Sequence, residues 1–244
     1  MAPPILELKD VAKSFSIPST RRDTVREHVL DLFRPHPHER LDVLRGVSFD
    51  VRRGESLGIM GRNGSGKSTL LKVMSGIYPL DSGSLAVRAP LTPILELGLG
   101  WNPDLDAVDN IYLVGSVMGL SLAELKGAIT EILAFADLER FANLELRHYS
   151  SGMAARLAYS VAFRAVKEIL ILDEVFAVGD AGFKEQCEQR YRQLHASGHT
   201  LLLVSHEPHI IETFCDRAVL LEAGRVLMDG GGVDVVRGYR QLFA

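Results

Sequence analysis

Eight residues, GRNGSGKS at Gly61–Ser68, constrain this chain more than any other stretch. They fill the spacing GxxxxGK[ST] in full, between an apolar segment, ESLGIMG, and a helix-forming one, KSTLLKVMSG. Glycines let backbone amides crowd around phosphate oxygens where a Cβ would block the approach. A lysine at the position of Lys67 reaches the β and γ phosphates, and a hydroxyl at Ser68 ligates Mg²⁺. The expected ligand is a nucleoside triphosphate. Its contacts are expected from Gly61, Arg62, Asn63, Gly64, Ser65, Gly66, Lys67, Ser68 and the following Thr69. The alternative, a chance glycine-rich turn, is disfavoured by the strand–loop–helix context.

A second segment complements the first. ILILDE (Ile169–Glu174) is a continuously apolar run, the pattern of a central parallel strand, and it ends in two acids. Asp173 is expected to hold Mg²⁺ directly or through water. Glu174 stands just outside the strand end, where open α/β sheets bind ligands, and is placed to orient and deprotonate an attacking water. TLLLVSH reads as a neighbouring strand with His206 at its end, so that His206 is expected to hydrogen-bond the γ-phosphate. HEPH does not match HExxH, and Pro208 breaks the helix that a zinc site of that kind needs. His36 and His38 are expected in an exposed proline turn, and His195 and His199 at the surface.

The rest of the chain alternates strands with helices. ILEL (Ile5–Leu8), GVSFDV, SLAVRA and LTPILEL predict strands, and RAVLLEAGRVLMDG predicts a hairpin around Gly224. Residues from Asp109 to Phe163 are mostly helical, with a Ser121/Glu124 capping box. VDVVRGYRQLF predicts a closing helix. In HYSSGMAARLAYSVAF, Ser151 is expected to cap a helix whose first amides point at an anion.

These elements predict an α/β fold with a mainly parallel sheet, an antiparallel β subdomain and a helical insertion. Residues 1–244 are expected to form one domain. Within it, 1–96 and 166–244 make the catalytic core, 97–165 the helical subdomain and 18–41 a charged insertion. In that insertion Val25, Val29, Leu32 and Phe33 fall at helical spacing before Pro35 and Pro37.

Composition excludes several classes. With 47% hydrophobic and 24% charged residues in 244, the chain has an ordinary globular balance. A net charge of −4 argues against sequence-independent binding of nucleic acid. The start, MAPPILELKD, lacks a basic region followed by an apolar core, so no signal peptide is expected. No apolar run reaches the ~18 residues that span a bilayer. Cys187 and Cys215 stand in no CxxC and read as free thiols.

The phosphate loop, YSSGM before a helix, ILILDEVFAVGD and VSH together resemble an ATP-binding cassette (ABC) ATPase, over essentially the whole chain. The resemblance implies a homodimer that sandwiches two ATP molecules head to tail. Ser150, Ser151 and Gly152 of one copy would then contact the γ-phosphate held by the other copy's Lys67. SSGM stands at the family's signature loop, where Tyr149 replaces Leu, Ser151 the first Gly and Met153 the Gln. The resemblance also implies that Phe15 stacks on adenine, that AVGD, ending at Asp180, forms the dimer loop, and that Glu96 replaces a Gln that senses Mg²⁺.

LELGLGWNPDLDAVDNIYLVGSVMGLS, YSSGM and DEVFAVGDAGFKEQC resemble the ATPases of bacterial exporters of O-antigen, capsule or teichoic acid. That resemblance implies a separate transmembrane permease that carries the polysaccharide, and a place on the cytoplasmic face of the inner membrane. Leu97–Asp106, with Trp101, is expected to face the permease. Other transporter ATPases, such as importers, and an ATP-driven clamp on nucleic acid are the alternatives. A regulator that does not hydrolyse ATP is disfavoured by the presence of Glu174.

Overall fold

A computed structural model describes residues 3–18, 38–95, 100–173 and 180–243. Nine strands are described: β1 (Leu6–Pro18), β2 (His38–Val51), β3 (Ser56–Met60), β4 (Ser82–Val87), β5 (Leu91–Ile94), β6 (Ile169–Asp173), β7 (Thr200–Val204), β8 (Arg217–Glu222) and β9 (Arg225–Gly231). The described helices are α1 (Lys67–Met74), α2 (Ala107–Val117), α3 (Leu122–Ala136), α4 (Ser151–Arg164), α5 (Ala181–Ala196), α6 (Pro208–Phe214) and α7 (Gly232–Phe243). Two sheets result. One is antiparallel with order β2-β1-β4, and the other has order β5-β6-β7-β3-β8-β9 and is parallel except for the β8–β9 hairpin. The fold is α/β, as the alternation of elements predicts.

The sequence of β6 explains how the layers assemble. Side chains alternate across a strand. Ile169 and Ile171 accordingly join a core with Leu70, Leu71 and Met74 of α1 and residues of β1 and β2. Leu170 and Leu172 face the other way, onto Tyr159 and Phe163 of α4, Phe183 and Tyr191 of α5, and Phe214 of α6. Being covered on both faces, the strand needs an unbroken apolar run.

Helices α2, α3 and α4 enclose a further core containing Ile111, Leu125, Ile132, Leu157 and Val161. Helix α4 therefore belongs to two cores at once and joins the helical layer to the sheet. Asp106 caps α2 through the Asp109 amide, and the expected Ser121/Glu124 capping box starts α3.

Three expectations are corrected. The first strand does not stop at Leu8 but runs to Pro18, and the second begins not at Gly46 but at His38, so residues 38–41 lie in a strand. The cause is long-range pairing: Phe15 faces Leu41, Ser16 faces Arg40 and Ile17 faces Glu39. A break between Leu8 and Val11, with Asp10 at φ 49°, lets β1 bend, and the Asp10 amide is held by Ser48 Oγ at 2.8 Å. The expected helix around Val25–Phe33 lies outside the described residues, as does His36. His195 and His199 are half-buried near the end of α5; the His199 ring lies 3.2 Å from the Leu194 carbonyl and His195 3.2 Å from Asp216. Gly224 does make the β8–β9 turn, together with Ala223, both at positive φ.

Candidate functional site

Ile59 of β3 and Asp173 of β6 both have Val204 of β7 as their ladder partner. One row across the sheet thus brings three parallel strands to their ends together. With neighbouring strands about 4.8 Å apart, Ile59 and Asp173 are separated by roughly 10 Å. From this row emerge the phosphate loop after Met60, the half-buried carboxylate of Asp173, and Ser205 with His206. The strand of TLLLVSH ends at Val204, not at the histidine, which is exposed two residues on. The Ser205 amide donates to the Ile59 carbonyl at 3.3 Å, tying the exit of β7 to that of β3.

The loop has the shape its glycines permit. Gly66 caps α1 at φ 106°, in the left-handed region. A Cβ on Gly61 would lie 2.2 Å from the Leu221 carbonyl oxygen and 2.6 Å from Ser65 Oγ, so this position admits no side chain. The neighbouring hairpin and β2 brace the loop from outside. The Gly224 amide donates to the Ser65 carbonyl at 3.0 Å, and the Arg45 amide donates to the Gly224 carbonyl at 2.8 Å. A Cβ on Gly224 would strike the Val43 carbonyl at 2.2 Å. Nothing local in the sequence indicates this bracing, which depends on elements some 160 residues apart.

Lys67 is only 8% exposed, and its ammonium donates to the carbonyls of Gly61 at 2.8 Å and Arg62 at 2.9 Å. Phosphate oxygens are stronger acceptors than these neutral carbonyls, because charge-assisted bonds are roughly twice as strong. The start of α1 fits a phosphate for a second reason. Helices α2 to α5 are each capped by the side chain of their own N-cap residue, whereas α1 has none. Its first amides and its dipole are therefore available to an external anion. Ser68 is exposed and Thr69 half-buried at this same turn. The donor set of Lys67, Ser68 and uncapped amides, opposite Asp173, suits a polyphosphate with Mg²⁺.

Elsewhere the structure shifts one expectation and adds partners to others. Ser150, not Ser151, is the N-cap of α4: its backbone is extended and its Oγ accepts from the Met153 amide at 3.2 Å. Either serine has the chemistry of a cap, and the backbone conformation at Ser150 decides between them. Ser151 is then the first helical residue, exposed, with half-buried Gly152 behind it, and Met153 packs on the helical core. The Tyr149 hydroxyl donates to the Phe141 carbonyl at 2.7 Å.

Asp180 caps α5 by accepting from the Phe183 amide at 3.0 Å, and it pairs with Arg156 of α4. That amide and the guanidinium hold its carboxyl below the ordinary carboxylate range. Arg156 carries no local signal, because its partner lies on another helix. Phe15 is half-buried on β1, edge-on to Tyr78 with centroids 5.4 Å apart and with Lys13 Nζ 5.5 Å from its ring centre. Glu174 and Glu96 lie outside the described residues.

Residues 44–177 match the model of a family described as ABC transporter. The chain is 39% identical over 243 residues to the ABC transporter protein AbcA of Aeromonas salmonicida, covering 99% of this chain and 78% of that protein. It is 38% identical over 240 residues to the O-antigen export system ATP-binding protein RfbB of Myxococcus xanthus, covering 96% of this chain. It spans only 55% of that relative's length. A solved ATP-binding subunit of an ABC transporter superposes with a TM-score of 0.76 at 26% identity, over 98% of this chain and 95% of that one.

Proposed function

The chain belongs to the ABC transporter family of ATPases, and from that premise we propose that it is the ATP-hydrolysing subunit of an exporter of a cell-surface polysaccharide of the O-antigen, capsule or teichoic-acid class. It works as an ATP-sandwich dimer beneath a separate permease at the cytoplasmic face of the bacterial inner membrane. Two observations support the reading. The Lys67 cradle stands on the same sheet edge as Asp173, and the similarity to an O-antigen export ATP-binding protein covers 96% of this chain.

In this reading each residue has a role set by its place. Lys67 exchanges two carbonyls for the β and γ phosphates, while the loop amides from Gly61 to Thr69 wrap the chain of oxygens. Ser68 and Asp173 would hold Mg²⁺, which would supply neutralisation of the phosphate charge. Glu174, next after Asp173, takes the proton of the attacking water. His206 hydrogen-bonds the γ-phosphate from the end of β7. Ser150, Ser151 and Gly152 of a second copy close the site from the other side, with Asp180 at the dimer interface and Phe15 against the adenine. Glu96 would sense the metal.

Deleting the gene in its organism is expected to abolish export of one surface polymer, and the wild-type gene but not Lys67→Ala to restore it. A six-helix membrane protein is expected to co-purify with the chain. Unaltered surface polymer together with loss of uptake of a small solute would replace this reading with an importer.

A further inference from the structure

The ring of Phe243, on the last turn of α7, faces the guanidinium of Arg62 in the phosphate loop, with Cζ 5.4 Å from the ring centre. This is a cation–π distance. The residue that Phe243 holds is itself a hub of the loop. The Arg62 carbonyl accepts from Lys67 Nζ at 2.9 Å and from the Ser65 amide at 3.1 Å. A side-chain contact thus fixes from outside the same residue whose backbone carries the lysine inside.

Helix α7 is built to deliver that ring to a definite place. Val235 and Val236 are buried with Met60, the residue that leads into the loop, and with Ala218 and Leu220 of β8. Gly238 allows the helix to lie flat on β9, since a Cβ there would come within 2.3 Å of Met228 Sδ. Gly232 starts the helix where a Cβ would stand 2.7 Å from the Cys215 carbonyl. Arg240 pairs with Glu212 of α6 at 3.0 Å, and Tyr239 packs against Phe243 one turn later, with centroids 5.2 Å apart.

We infer that Phe243 is a positioning residue for nucleotide binding: α7 holds Arg62 through Phe243 and so keeps the phosphate loop in the conformation that receives the phosphates. The inference rests on the loop's binding a nucleotide and is independent of what the transporter carries. Its cause is preorganisation, in which a loop fixed beforehand loses less freedom on binding.

The test uses the whole purified chain and MgADP, which is not turned over, with equilibrium affinity measured by calorimetry. Phe243→Leu keeps an apolar side chain but no ring, and it is expected to weaken MgADP roughly two- to five-fold with an unchanged melting temperature. Phe243→Trp, with a stronger ring face, is expected to bind at least as tightly as the wild type. In an Arg62→Gln background the effect of Phe243→Leu is expected to vanish, since nothing is left for the ring to hold. Wild-type affinity in Phe243→Leu, or a loss of the same size in the Arg62→Gln background, would overturn the inference. Loss of polymer export with these affinities as expected would bear on the coupling to transport and leave the inference standing.

Discussion

The ammonium of Lys67 rests 2.8 Å from the carbonyl oxygen of Gly61, the first residue of its own loop. The lysine is therefore held in place by the loop before any phosphate arrives, and its carbonyl partners can be exchanged without refolding. Lys67→Ala is expected to retain the fold, because α1 is anchored by Leu70, Leu71 and Met74. Its affinity for MgATP is expected to fall at least ten-fold, since each hydrogen bond to a charged group contributes about 1.5–3 kcal/mol. Equilibrium binding and a melting curve on the same preparation check both halves. Near-normal hydrolysis by the folded variant would remove Lys67 from the site.

Glu174 follows Asp173 in the sequence, and the proposed mechanism gives it the proton of water. Glu174→Gln keeps the size and the hydrogen bonding of the side chain but cannot take that proton. Hydrolysis is expected to drop by about 10²–10⁴, the contribution of a general base, while ATP still binds. With the nucleotide intact between two copies, a dimer is expected to accumulate in MgATP and to elute early in size-exclusion chromatography. A variant that stays monomeric at saturating ATP would count against the sandwich.

The parts of this molecule that were legible in the sequence are those whose chemistry is local. The phosphate loop needs its glycines and lysine at fixed spacing, so GRNGSGKS identifies itself. Strands β6 and β7 are legible because burial on both faces demands unbroken apolar runs, and their pairing places Asp173 opposite Val204. The capping box at Ser121 closes within four residues. What was missed depends on distant partners. The length of β1 is set by β2, whose paired residues lie 28 positions away at Ser14–Asp42 and 45 at Leu6–Val51, beyond the reach of any local pattern. Ser150 and Ser151 differ only in backbone angles. Arg156 has no visible role until α5 brings Asp180 to it, and Gly224 none until Val43 and Ser65 meet it.

Both cysteines are expected to be inert in the folded protein. Burial pushes each thiol up to about 12, against about 8.5 in an unfolded chain. At pH 8 only about one thiol in ten thousand would be the reactive thiolate. Native protein is therefore expected to resist iodoacetamide at pH 8, and denatured protein to take up label at both positions. The sign of the linked effect on stability follows. The folded state keeps protons that the unfolded state releases, so this contribution is complete below about pH 8.5 and declines as pH rises towards about 12. Rapid labelling of the native protein would show that one thiol is open to solvent.

Trp101 is half-buried and packs on the core of the helical layer, beside a groove of about 380 Å³ that it lines with Pro103, Leu146, Ser151, Ala154, Ala155 and Ala158, so that the groove runs up to the start of α4. The segment after it is not a free hinge. Asn110, fully buried, accepts from the Asn102 amide at 2.8 Å and donates to the carbonyls of Asn102, Leu105 and Asp106. Gly100, just before Trp101, has φ 85° and open space where a Cβ would stand. A pinned loop that carries a half-exposed indole over a groove of small side chains suits a rigid docking surface, and aromatic anchors of this kind dominate interface energies. Trp101→Ala is expected to cost the isolated subunit roughly 1–3 kcal/mol, less than the ~3–5 kcal/mol of a fully buried aromatic, because part of the ring already meets solvent. Its ATPase rate is expected to hold. In cells the same variant is expected to lose polymer export. If the isolated subunit instead loses the full ~3–5 kcal/mol, or if export survives, Trp101 serves the helical core and the docking surface must be sought elsewhere.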